Sequence, residues 1–174
     1  MKSTLVVALM ALGILVTGPA LAAFTAKDAT ELETQSAAAL ATFDSDTSGA
    51  KTLIDNAKGI LVCPDITKGG FIIGVESGTC EMRVGGKVTG YYSTTAAKVG
   101  LLAGYQSYSM VLVFNDQATL EKFQSDDSEW EVGVDASVAV AKVGASGKLD
   151  TTNLKKAIIA YVFGEKGLMA DISL

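Results

Sequence analysis

The stretch ILVCPDITKGGFIIGVESGTCEMRVGGKVTGYYS, residues 60–93, decides the fold class. It is rich in Val, Ile and Tyr and is interrupted by glycines at short intervals, a pattern typical of short strands joined by tight turns. Glycine enters the positive-φ positions of hairpin turns without steric cost, so we predict turns at Ser77-Gly78 and Gly85-Gly86. Such short turns imply antiparallel pairing. The predicted strands are 60–63, 71–76, 80–84 and 88–93.

Helices and further strands lie on both sides of this stretch. Thr25 is the predicted N-cap of a first helix over 25–43, Ser48 of a second, and Asn115-Asp116 opens a short third helix. Further strands are predicted at 99–105, 110–114, 130–143, 157–163 and 168–174, with a hairpin loop at 164–167 joining the last two. The sequence thus predicts an α+β fold: a strongly curved, barrel-like antiparallel sheet of about eight or nine strands, with two N-terminal helices and one short intervening helix.

The N-terminus has the pattern of an export signal. Lys2 precedes an apolar run from Leu5 to Val16, and Ala20-Leu21-Ala22 places small residues where a signal peptidase reads. The alternative is an uncleaved anchor, but a run of about 12 residues falls short of the roughly 20 that span a bilayer. We therefore expect cleavage after Ala22, which divides the chain into a signal peptide, 1–22, and one periplasmic domain, 23–174.

Composition narrows the function. The chain has 14 Lys and Arg against 19 Asp and Glu and a net charge of −5, which argues against nucleic-acid binding through bulk positive charge. It contains no His, so it lacks the commonest general base and the commonest transition-metal ligand. No spacing of carboxylates or nucleophiles indicates catalysis. We therefore expect no enzymatic activity, no metal site and no cofactor.

The two cysteines, Cys63 and Cys80, are not arranged as Cys-x-x-Cys. In an oxidising compartment a structural disulfide is expected, which would stabilise the fold by roughly 3 kcal/mol in the chain-entropy model. The alternative is two buried, unpaired thiols.

Several separated blocks resemble the SYLF lipid-binding domain family. They are AKGILV at 57–62, KGGF at 68–71, Arg83, WEVGVDASV at 130–138 and KGLMADISL at 166–174. The resemblance extends from the first helix to the C-terminus, and it implies a barrel-like α+β fold with a binding function. Members of the family are known for binding membranes and phosphoinositides, and some bind actin. For an exported member, the resemblance implies affinity for membrane lipid or for an anionic head group.

An alternative function is a structural or protein-interaction component of the cell envelope, with a sheet edge or the Ala-rich first helix in contact with an envelope protein.

Lipid binding would need an apolar surface beside cations or backbone amides that meet a phosphate. The candidates concentrate around the second helix and the first strands: Lys51, Lys58, Lys68, Arg83 and Lys87. The alternative is that these are ordinary solvated charges. Asp135 lies among small and apolar residues on a predicted strand, so we expect it to form a structural ion pair, with Arg83 or a lysine as partner.

Overall fold

The computed structural model describes residues 24–125, 138–142 and 156–172. Helix α1 spans Ala26–Asp46, α2 spans Ala50–Asn56 and α3 spans Gln117–Ser125. The predicted first cap is confirmed, since Thr25 and Asp28 form a capping box at the start of α1. The predicted Ser48 cap is wrong, because Gly49, with φ of 87°, is the N-cap of α2. No described helix is both long enough and apolar enough to cross a membrane.

The described strands form one mixed sheet in the order β1-β2-β4-β3. They are β1 Gly59–Val84, β2 Lys87–Phe114, β3 Val138–Lys142 and β4 Ile158–Ile172. β1 pairs antiparallel with β2, β2 pairs antiparallel with β4, and β3 runs parallel to β4. The α+β class and the three helices are confirmed. The barrel-like, wholly antiparallel sheet of eight or nine strands is wrong for the described residues, whose sheet is open and has fewer, longer strands.

The strands are long because two predicted turns are continuous strand. Ser77-Gly78 pairs within the ladder between β1 and β2, and the predicted loop at 164–167 lies within β4, where a shift in register absorbs the extra residues. The turn at Gly85-Gly86 is confirmed, with φ of 58° and 78°. Glycine also occurs in strands where the backbone bends or another backbone approaches closely, so it overpredicts turns.

β1 bends sharply at Gly70–Gly74 and doubles back on itself. A side chain at Gly70 would place its Cβ 2.4 Å from Gly74 Cα, and one at Gly78 would place its Cβ 2.9 Å from the carbonyl oxygen of Asp65. Both positions therefore need glycine for close approach rather than for a hairpin turn. As a result, the two halves of β1 pack against each other, and each half is hydrogen-bonded to a different part of β2.

A disulfide joins these two halves. Cys63 and Cys80 are bonded, with their Cα atoms 4.1 Å apart, and both are buried. The predicted disulfide is confirmed. It links the first half of β1 to the second half, at two positions that are 17 residues apart in sequence.

Both faces of the sheet are buried where β1, β2 and β4 run together. On one face the strands pack beneath α1 and α2, and the core there includes Phe43, Ile60, Val62, Val111, Val113, Tyr161 and Phe163. On the other face they pack against the second half of β1 and against α3, through Leu61, Met82, Met110, Leu112, Phe114, Leu120 and Phe123. This two-sided burial explains the nearly continuous apolar runs 60–63 and 110–114. It also leaves the bend of β1 as the part of the sheet that projects from the core.

Candidate functional site

The bend of β1 presents large apolar side chains to solvent. Phe71 is 75% exposed, Ile72 53% and Ile73 65%, and Val75 follows at 53%. Tyr105 of β2, opposite Gly69 in the ladder, is 59% exposed. We call these five residues the apolar tip. Scattered exposed apolar residues are normal, but a cluster of this size marks an interaction surface in a soluble domain.

The local backbone explains why three consecutive apolar side chains point outward. The ladder pairs Phe71 with Ala103 and Ile73 with Val99, so Ile72 is the single unpaired residue of β1 opposite three residues of β2, 100–102, and the pairing is irregular at the bend. Ile72 has a φ of 66°, a left-handed conformation that is strained for a β-branched side chain. Such strain costs of order 1–3 kcal/mol and is typical of functional sites. Glycine would be the residue favoured here by stability alone, so the choice of Ile indicates a role for its side chain.

A polar cluster lies behind the apolar tip. Lys68, three residues before Phe71, is buried and is opposite Gln106 of β2 in the ladder. Tyr108 is two residues after Gln106, so it lies on the same face of the sheet as Lys68. The Tyr108 hydroxyl donates to Glu76 Oε1 at 2.6 Å. Burial, the hydrogen bond to Glu76 and the charge of Glu165 all raise the pKa of Tyr108. The region behind the apolar tip is therefore polar, and the raised pKa keeps the Tyr108 hydroxyl protonated as the donor to Glu76.

The five predicted cationic residues do not form one patch. Lys51 is exposed on α2 and donates to Asp55 at 2.6 Å. Because β1 doubles back, its start at Gly59 lies against the backbone of Arg83 near its end. Lys58, Arg83 and Lys87 therefore lie at the same end of the sheet, beside the turn into β2. Lys68 lies behind the apolar tip, roughly 30 Å of extended strand from Lys58.

Arg83, one of the predicted partners of Asp135, pairs with a different carboxylate among the described residues. Its Nε donates to Glu81 Oε1, a buried carboxylate on the same strand. Asp135 lies outside the described residues. Among those residues no group of three or more His, Cys, Asp or Glu side chains is arranged to hold a metal ion.

The apolar tip was missed by sequence reasoning, although a signal for it exists. The run Phe71-Ile72-Ile73 stands between Gly69-Gly70 and Gly74. It begins the strand predicted over 71–76, and that prediction does not say which of its side chains are buried. Whether such a run is buried depends on what packs over it, and only the folded β1 shows that nothing among the described residues does so.

A comparison with protein families matches the second half of the chain. Residues 95–174 fit the family model described as "Ysc84: Las17-binding protein actin regulator". This range contains the second part of β2, α3, β3 and β4. This match is consistent with the resemblance of the chain to the SYLF family. No curated protein matches the chain.

The matched residues include two of the sequence blocks that carried the resemblance, 130–138 and 166–174. The blocks in β1 lie before the matched residues. Tyr105 of the apolar tip falls inside the match, whereas 71–75 precede it. SYLF proteins form a family of binding domains, which agrees with the expectation of a binding function rather than catalysis.

Proposed function

We propose that this protein is an exported, non-catalytic lipid-binding protein that engages a membrane surface through the apolar tip. The observation that carries the proposal is the outward projection of Phe71, Ile72 and Ile73 at a strained bend. The match of residues 95–174 to a family of binding domains supports a binding role.

The exposed fractions set the energy available from membrane contact. Fully burying a Phe or Ile side chain contributes about 1.5–3 kcal/mol. Phe71, Ile72 and Ile73 are 75%, 53% and 65% exposed, so there remains about 1–2 kcal/mol per side chain to gain on insertion. Tyr105 adds an aromatic ring with a polar hydroxyl, a combination that favours the boundary between acyl chains and head groups. Three or four such side chains acting together suffice for reversible membrane binding.

Charge supports apolar insertion as the main contribution. The chain has a net charge of −5, so its overall field opposes approach to an anionic membrane. The charge of Lys166 offsets this locally. Lys166 is exposed and is opposite Ser107 in the ladder, two residues along β2 from Tyr105 of the apolar tip. We therefore expect binding to neutral vesicles, strengthened modestly by anionic lipid and only weakly dependent on salt.

The proposed location is the periplasm, reached by the signal peptide at 1–22 and cleavage after Ala22. The Cys63–Cys80 disulfide supports an oxidising compartment, because structural disulfides persist there. The membrane available to the protein would then be that of the cell envelope.

Flotation with phospholipid vesicles tests the function. We expect the protein to float with phosphatidylcholine vesicles and with vesicles that also contain phosphatidylglycerol. Replacing both Phe71 and Ile73 by Ser removes about 3 kcal/mol of apolar contact, which weakens binding by about 100-fold. The matched control is Val140→Ser, which removes an apolar side chain that is 42% exposed on β3, far along the sheet from the apolar tip, and leaves binding unchanged.

Failure to float with vesicles of any composition would reject lipid binding. A stoichiometric envelope protein captured by the wild type and lost in the Phe71→Ser, Ile73→Ser variant would then favour the alternative role, a protein-interaction component of the cell envelope.

A further inference from the structure

A buried carboxylate faces the N-terminal half of α1. Glu81 of β1 is fully buried, and its Oε1 accepts a hydrogen bond from Arg83 Nε. Its other oxygen, Oε2, is buried without a hydrogen-bond partner. An ionised carboxylate in this state is costly, because one oxygen has lost water and gained no donor. Protonation of Glu81 removes most of that cost.

The N-terminal half of α1 is held at the same place. Glu81 is opposite Tyr91 in the ladder between β1 and β2, and directly opposed residues lie on the same face of a sheet. The Tyr91 hydroxyl donates to Glu33 Oε1 of α1 at 2.5 Å. The Phe24 ring, which precedes α1, packs on the Tyr91 ring with centroids 5.1 Å apart. These contacts hold this half of the helix, in which Leu32 is buried, beside the Glu81–Tyr91 pair.

Two charged groups act on Glu81, and a third titratable group lies opposite it. Arg83 of β1 favours the charged form of Glu81, whereas Glu33 of α1 disfavours that form. Tyr91 of β2 is opposite Glu81 in the ladder and donates a hydrogen bond to Glu33, and this bond and the charges of both carboxylates raise its pKa. Burial is the largest influence and raises the pKa of Glu81, Arg83 lowers it, and Glu33 raises it further. The net direction is upward.

We propose that Glu81 is a proton-sensitive latch for the N-terminal half of α1, which docks more tightly on the sheet when Glu81 is protonated than when it is ionised. Undocking lets water reach Oε2 and separates Glu81 from the Glu33 carboxylate, so both costs of the ionised form disappear. The C-terminal half of α1 stays in place through Phe43, which packs on Tyr161 and Phe163. Release therefore uncovers Leu32 and the Tyr91 ring.

The direction of the pH dependence follows from the raised pKa. The docked state binds the proton more tightly than the undocked state, in which Glu81 has its ordinary pKa of about 4.5. Docking is therefore strongest below that ordinary pKa, weakens as the pH rises through the raised pKa, and becomes constant above it.

Hydrogen exchange followed by NMR measures this opening directly. Protection factors in residues 30–36 are divided by those in residues 110–113, which cancels changes in global stability. From about pH 4 to about pH 8 the ratio falls in the wild type, by about tenfold for each unit by which docking raises the pKa. In Glu81→Gln, which keeps the acceptor for Arg83 but cannot ionise, the ratio stays constant at the value that the wild type has in acid.

Two further variants complete the test. Glu33→Gln keeps an acceptor for Tyr91 but removes the second carboxylate, so the fall in the ratio becomes smaller. Glu31→Gln changes an exposed glutamate that accepts from Gln35 on the outer side of α1, and it leaves the fall unchanged. A ratio that does not change with pH in the wild type would overturn the proposal. So would an equal fall in Glu81→Gln or, if that variant does not fold, in Glu33→Gln.

Discussion

Replacing Ile72 by Gly tests whether the Ile72 side chain serves membrane binding or the stability of the fold. Ile72 has a φ of 66° and is 53% exposed, so it contributes strain and little packing to the folded protein. Glycine relieves about 1–3 kcal/mol of left-handed strain. It also costs about 0.5–1 kcal/mol through the greater freedom of the unfolded chain. The expected net result is a folded state that is unchanged or stabilised by up to about 2.5 kcal/mol, seen as a melting temperature that is equal or a few degrees higher.

Membrane binding changes in the opposite direction. Loss of the exposed part of the Ile72 side chain removes about 1–1.5 kcal/mol of insertion energy, so vesicle binding weakens by about tenfold. Thermal unfolding by circular dichroism gives the first quantity and vesicle flotation gives the second. Ile73→Gly is the matched control, because Ile73 lies in the ladder opposite Val99. That variant lowers both binding and stability. Unchanged binding in Ile72→Gly, or a loss of stability like that of Ile73→Gly, would refute the role assigned to Ile72.

Three further predictions concern the folded strand that presents the apolar tip. Replacing Cys63 and Cys80 together by Ala removes the link between the halves of β1, and the free energy of unfolding in urea falls by about 3 kcal/mol, whereas reductant changes only the wild type. Gly78→Ala forces a Cβ to within 2.9 Å of a backbone oxygen on the other half of β1, so its melting temperature falls clearly, and an unchanged value would contradict the close approach. Tyr108→Phe removes the donor to Glu76 and costs about 1–3 kcal/mol of stability at neutral pH; a measured loss below that range would show that water replaces the hydroxyl.

The parts of the fold that follow from local chemistry were predictable from the sequence. The capping box at Thr25 and Asp28 has its usual spacing, and the turn at Gly85-Gly86 needs two residues with positive φ. The disulfide also followed from composition and expected compartment. In each case the deciding interaction joins near neighbours or depends on residue type alone.

The remaining parts depend on long-range contacts. Gly78 was predicted to be a turn residue, yet its role is to let the two halves of β1 approach each other. The five cations were grouped because they are close in sequence, whereas a bent strand places Lys68 far from Lys58, Arg83 and Lys87. The apolar tip was overlooked for a related reason: the same apolar run is core or surface according to what packs over it.

The most direct test of membrane contact through the apolar tip is an NMR measurement on vesicles or bicelles that carry a spin label in the acyl chains. The proposal predicts that backbone amide signals of residues 71–73 and of Tyr105 lose intensity, while those of residues 139–141 on β3 keep theirs. Uniform loss of intensity, or selective loss at α1 with the apolar tip unaffected, would contradict it.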